Sequence, residues 1–150
     1  METKILKENQ VEEAAKIIAD GGTLTVGAVD IAIDGSGDAF TATNGATVTL
    51  SGTTDISAHS EAAETHAVQI VGSRVDFKAD TTTLSVKSDK VMSGVSLHNA
   101  EAINVSGSDA QANFNGDEVV INSDAPYAVV NVRAEEGASI NFDNDNTTIN

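Results

Sequence analysis

The chain has no cysteine and no tryptophan, one proline at Pro126 and one tyrosine at Tyr127. Without cysteine there are no disulfides, no zinc-thiolate centres and no thiol nucleophile, and the redox compartment stays open. Aromatic residues make up only 3% of the 150 residues, so a core has to be assembled from many small contributions of Val, Ile, Leu, Ala and Thr. That favours thin, repeated layers over one large centre. Basic residues are scarce as well: 8 Lys and Arg stand against 23 Asp and Glu, a formal net charge of -15. A surface of that sign repels phosphate backbones and anionic lipid, so neither nucleic acid nor a membrane surface is an expected partner. No apolar run reaches the length of a membrane span, and METKILKENQ lacks the apolar stretch of a signal peptide. The hydrophobic content of 40% at this length suits a single domain.

What is present divides into two periodicities. Val11, Ala14, Ala15, Ile18 and Ala19 recur at helical spacing, with Glu12, Glu13 and Lys16 on the opposite side. Asn9 stands as N-cap with Glu12 three residues on, and Gly21 sits where a helix ends in the left-handed conformation. From Thr23 the period drops to two: Leu24 and Val26, then Val29, Ile31 and Ile33, then Val48 and Leu50. Asp34-Gly35-Ser36-Gly37, Asn44-Gly45, Ser51-Gly52 and Ser106-Gly107 punctuate these short strands.

The strands repeat. Segments beginning at Ala39, Ala67, Gly94 and Ala128 align at three apolar stations. The first holds Phe40, Val68, Val95 and Val129. The second pairs Val48 with Leu50, Val75 with Phe77, Ile103 with Val105, and Ile140 with Phe142. The third holds Ile56, Leu84, Phe114 or Ala112, and Ile149. Irregular spacing between copies fits coils whose corners carry loops of different length. The expectation is an all-β fold, a right-handed parallel β-helix with an N-terminal capping α-helix: residues 1–22 form the cap and residues 23–150 about five coils. Laid across the first coil, the helix would cover apolar interior and block edge-to-edge pairing. The Gly-Gly pair would turn the chain into the first strand. Ser57 to His66 and Asp117 to Tyr127 are read as long corner loops, and His59, Glu61, His66, Asp117 and Tyr127 as partner-contact residues on them.

The helix-GG-TLTV opening, followed by coils such as NGATVTLSG and EGASINFDNDNTTI, resembles the passenger domains of bacterial autotransporters and related adhesins, which share the pectin-lyase-like β-helix. The matching features are strand-turn rhythm and the G-A-x-[VI]-x-[LF] pattern at Gly45 to Leu50 and Gly137 to Phe142, with no catalytic signature. The resemblance implies secretion to a bacterial cell surface, with the β-helix serving as a stalk or adhesive surface. It implies a host or bacterial surface glycan or protein as partner, and this chain as the opening portion of a longer passenger. Self-association through an exposed C-terminal coil is a further expectation.

The same fold hosts polysaccharide lyases and hydrolases. A lyase of this shape sets acidic calcium ligands against a basic proton acceptor, and a hydrolase converges two carboxylates. Arg74 and Arg133 fall in different copies at unequal stations, and Asp-Asp and Gly-His-Gly signatures are absent. Arg74, Asp76, Lys78 and Asp80 read as a charge-balanced outer face. Asn141, Asp143 and Asp145 alternate oxygen ligands, but neither the Gly nor the closing Glu of an EF-hand follows. His59 and His66 lack the further ligands a zinc site needs. The reading is a non-enzymatic module with no cofactor and no metal. A carbohydrate-active fragment and a stalk without a ligand are the alternatives.

Overall fold

The computed structural model describes residues 16–34, 37–60, 65–89, 100–124 and 131–150. These residues form fifteen strands, β1 (Ile17–Asp20) through β15 (Asn146–Ile149), and no helix. Three five-stranded sheets take every third strand in turn, and every strand pair is parallel. Sheet A is β1, β4 (Gly37–Thr43), β7 (Thr65–Val71), β10 (Ala100–Ser106) and β13 (Val132–Glu135). Sheet B is β2 (Thr23–Val26), β5 (Thr47–Leu50), β8 (Arg74–Phe77), β11 (Gln111–Phe114) and β14 (Ser139–Phe142). Sheet C is β3 (Val29–Asp34), β6 (Thr54–Ser60), β9 (Thr81–Ser88), β12 (Glu118–Asp124) and β15. The chain therefore winds through A, B and C once per coil, five coils in all, as a parallel β-helix solenoid.

Each inward position makes a column along the axis. In sheet A, Ile17, Phe40, Val68, Ile103 and Val132 are in register. In sheet B, Val26, Leu50, Phe77, Phe114 and Phe142 are, the last three rings stacking at 4.4 and 4.9 Å between centroids. In sheet C, the column is Ile31, Ile56, Leu84, Ile121 and Ile149. Small and β-branched residues suit this interior because adjacent coils are only about 4.8 Å apart and each layer is thin.

The corners explain the glycines. Every turn from sheet A to sheet B holds a residue at positive φ: Gly21 and Gly22, Asn44 and Gly45, Gly72, Gly107 and Asp109, Glu136 and Gly137. A chain reversing so tightly needs the left-handed region, which glycine and asparagine enter cheaply. From B to C the demand is close approach: a β-carbon on Gly116 would stand 1.7 Å from the carbonyl oxygen of Ala79 in the coil below.

Two sequence expectations are corrected. The predicted helix was carried through Ile18 and Ala19, but Ile17–Asp20 is strand β1, paired with β4. Ile17 and Ala19 are buried, whereas Asp20 is exposed and Ile18 lies between, a period of two. Gly21 and Gly22 are the first A-to-B corner and not a helix stop; positive φ serves both roles. The first coil accordingly starts at Ile17. The rest of the expected cap, Val11, Ala14 and Ala15 included, lies outside the described residues.

The third repeat was aligned one station too early. Ile103 and Val105 belong to sheet A, Ala112 and Phe114 to sheet B, and Ile121 to sheet C. Val95 and Val129 lie outside the described residues. The other assignments of the second and third stations stand in register, Val48 with Val75, Leu50 with Phe77, Ile56 with Leu84.

Candidate functional site

The two expected corner loops are largely strand. Ser57–Ser60 completes β6, Thr65 and His66 open β7, and Glu118–Asp124 is β12, with Val119 and Ile121 buried at period two. Glu61 and Tyr127 lie outside the described residues. Asp117 holds the B-to-C corner by backbone alone, its N–H donating to the Asp80 carbonyl at 3.1 Å and its carbonyl accepting from Asn146 at 2.9 Å. His59 and His66 are placed on different sheets, C and A.

His59 lies beside a concavity of ligand size. Along the outer side of sheet C, Ala32, Ser57, Ser85 and Asn122 form one in-register row, and Asp34, His59, Lys87 and Asp124 form the next. Between them runs a trough of about 370 Å³. The first row is small and hydrogen-bonding, which leaves the trough open: the Ser57 hydroxyl donates to the Ile31 carbonyl at 3.4 Å, and the Asn122 amide to the Ser85 hydroxyl at 3.3 Å. Charges of the second row cancel locally. His59 Nδ1 is 3.1 Å from Asp34, its Nε2 is 2.8 Å from Asp89, and Lys87 reaches Asp89 at 3.8 Å. An imidazole whose two nitrogens both face carboxylates donates to both only when it carries both protons. The hydrogen bond to Asp89, reinforced by the field of Asp34, accordingly raises the pKa of His59, while its partner Asp89 is lowered.

His66 belongs to a second cluster, on the outer side of sheet A. Asp38, His66 and Glu101 are in register on β4, β7 and β10. His66 Nδ1 is 2.6 Å from Asp38 and its Nε2 is 3.3 Å from Glu101. Glu101, only 1% exposed, also accepts from the Asn104 amide at 2.7 Å and from Arg133 at 3.1 Å, and Arg133 donates on to Glu135 at 2.8 Å. A phase shift in the strands makes this burial attainable. Ala39 and Phe40, Ala67 and Val68, and Ala102 and Ile103 are consecutive buried pairs, and the ladder skips the alanine each time. Two inward residues in succession kink the strand as a bulge does, so Glu101 and Asn104 on either side converge over the kink.

Burial disfavours the charge on His66, yet the bonds and fields of Asp38 and Glu101 outweigh it, and its pKa rises to about 9. Burial likewise opposes ionised Glu101, and His66, Asn104 and Arg133 bring it down to about 2. What His66 adds to stability is complete below its unfolded value of 6.5 and lost as pH rises through about 9. The share of Glu101 is present above its unfolded value of 4.5 and lost as pH falls through about 2.

No family model, curated protein or solved structure matches this chain. Function has to be argued from the two clusters and from the outer face of sheet B. There Arg74 bonds Asp76 at 3.0 and 3.1 Å, Asn113 donates to Asp76 at 2.8 Å, and Asn141 donates to Asn113 at 2.7 Å. Arg74 and Asp76, read from the sequence as part of a charge-balanced outer face, thus begin a ladder that runs through Asn113 and Asn141 across three coils. Sequence reasoning missed Asp38, Asp89, Glu101 and Asn104. A signal was available for two of them: Asp38-Ala39-Phe40, His66-Ala67-Val68 and Glu101-Ala102-Ile103 repeat a charged residue, alanine and a large apolar residue.

Proposed function

We propose that this chain is a non-enzymatic, surface-exposed β-helix module of the adhesin type, and that the trough on sheet C is its contact surface for a neutral, extended glycan. The observation that carries the reading is the in-register row of Ser57, Ser85 and Asn122 beside a second row in which His59 and Lys87 are paired with Asp34 and Asp89. Hydroxyl and amide groups recur once per coil, about 4.8 Å apart. Such a floor can exchange hydrogen bonds with a polyhydroxylated chain laid along the axis. A charged ligand would meet His59, Lys87, Asp34 and Asp89 already partnered with one another, and would have to displace one of them. Further support comes from Asp76, His66 and Glu101, each bonded to a residue of a neighbouring coil, with Arg74 paired to Asp76 on its own strand.

The remaining features of the reading follow the resemblance to autotransporter passengers: right-handed winding, the sense taken by nearly all parallel crossovers, a closing segment ahead of Lys16, and delivery to a bacterial surface. A glycan panel probed with the chain and with Ser85→Trp tests the reading. Tryptophan there fills the trough from a half-buried outward position, so binding is expected to disappear with the circular dichroism spectrum unchanged. Glycan binding that survives S85W, or binding only to proteins, overturns the site. A blank panel for the unaltered chain favours the stalk without a ligand.

A further inference from the structure

The connections from sheet C back to sheet A return the chain in register at the start of β4, β7 and β10, where Gly37, Thr65 and Ala100 align, while the ladder of β13 begins three positions later, at Val132 opposite Ile103. These connections differ in length, at two, four, eleven and seven residues. Something other than loop length must therefore choose which residue of each returning strand meets its neighbour. The leading half of sheet A offers Asp38, His66 and Glu101, alternating in sign from coil to coil and in direct register. Arg133 adds a further cation on β13, 3.1 Å from Glu101. A slip of one residue would replace these attractions with an alanine or a threonine and strand a buried carboxylate.

We propose that this column is a proton-gated register lock: with His66 doubly protonated it holds the leading halves of β4, β7 and β10 together, and with His66 neutral it lets them separate while sheet B, which has no histidine, stays paired.

The gate follows from the donor count. His66 faces a carboxylate at each nitrogen, Asp38 from β4 and Glu101 from β10. Neutral imidazole has one N–H, so one of its two contacts becomes a lone pair against a carboxylate. Further charged and polar side chains flank the column without giving the ring a second N–H. Asn104 and Arg133 are committed to the Glu101 side, Glu135 draws on the second arm of Arg133, and Lys16 comes to β4 at Gly37, next to Asp38. Loss of one proton therefore leaves Asp38 and Glu101 bracketing an uncharged ring. Sheet B has no histidine in its strands, and its outer ladder runs through the amides of Asn113 and Asn141 and the Arg74–Asp76 pair. The raised pKa of His66 puts the release above neutral pH.

Amide hydrogen exchange across pH 7 to 10, corrected for intrinsic rates, tests the lock on the unmodified chain. Protection at Thr65–Ala67 and Ala100–Ala102 is expected to fall by more than about tenfold, the factor set by one pKa unit, while Arg74–Phe77 and Gln111–Phe114 hold. In His66→Gln, the sheet A segments should be weakly protected already at pH 7 and lose their dependence on pH. In His66→Lys, which keeps a cation, protection should persist to higher pH than in the unaltered chain. Constant protection of the sheet A segments, or equal loss in sheets A and B, overturns the proposal. So does a His66→Gln variant that retains the original pH dependence. The unmodified chain decides alone should a variant fail to fold.

Discussion

The two short corners of each coil and the return from sheet C to sheet A solve the same problem by different means. Corners from A to B span two to four residues and those from B to C two or three, whereas the returns range from two to eleven. Where the connection is short, backbone geometry decides: left-handed residues at A to B, glycine-on-carbonyl contact at B to C. Register in sheets B and C then follows the turn, and the side chains inside need only be apolar and of the right size. Where the connection is long, the turn specifies nothing, and a buried ionic column stands at the point of return. Buried charge is costly to stabilise, and its best-attested use is to select one alignment over others. The difference teaches that a solenoid can vary its outline at one corner if charge pairing takes over the alignment there.

That division can be broken most severely on the apolar side. Phe114 is fully buried and stacks on Phe77 at 4.4 Å and on Phe142 at 4.9 Å. Phe114→Ala removes the middle of the column, and the flanking coils are held apart by their own ladders and cannot collapse into the gap. A loss of about 3–5 kcal/mol is expected in urea unfolding. A loss below ~1 kcal/mol would mean that sheet B is not where the coils are anchored.

Next comes the tight corner. Gly116→Ala puts a methyl group against the Ala79 carbonyl, a backbone atom with no rotamer to retreat into. The coils must part locally, at a cost of about 2–3 kcal/mol. Gly45→Ala, with open space around its β-carbon but φ at 74°, isolates the other corner's demand and should cost only about 1 kcal/mol, the penalty of the left-handed region. Both are read from the midpoint of thermal or urea unfolding.

How much of this was legible in the sequence depended on the same division. Coils with short corners carry strong signals: GATVTL and GASINF each announce a corner glycine and two inward residues at period two, and their positions in sheet B were read correctly. The third repeat, which is the fourth coil, was misread because the residues after Lys90 also alternate, Val91, Val95 and Leu97 imitating a first station. Periodicity alone cannot say which of two apolar runs pairs with a distant strand. The first strand was hidden for a related reason. Ile17 and Ala19 are spaced as a strand requires, but Ile18 and Ala19 also continue the helical series from Val11, and four residues are too few to separate the two. The trough was beyond reach altogether, since His59, Lys87 and Asp124 meet only through a register that crosses three coils.

On the polar side the effects should be smaller, because the ladders have solvent near at hand. Asn113→Ala removes an acceptor for the exposed Asn141 at 2.7 Å and a donor to the buried Asp76 at 2.8 Å. Arg74 still neutralises Asp76. The expected loss is about 1–2 kcal/mol, one or two net hydrogen bonds, measured by urea unfolding. Asn113→Asp keeps the shape but sets two carboxylates side by side, and should cost more than alanine does.

The smallest effect is expected at the variable corner itself. Four added Gly and Ser residues in the connection between Ser88 and Ala100, already eleven residues long, raise the closure entropy by less than ~0.5 kcal/mol. The ionic column receives the chain at the same residue whatever the length of its path. One residue added after Gly45 meets a different situation, since the Ala46 N–H donates to the Ser73 hydroxyl of the next coil at 3.1 Å and the Thr47 N–H to the Gly22 carbonyl at 2.8 Å. Losing either bond in a buried corner costs more than ~1 kcal/mol. If the two insertions prove equally costly, alignment at the return is set by the connection, and the charge column is a consequence of register and not its cause.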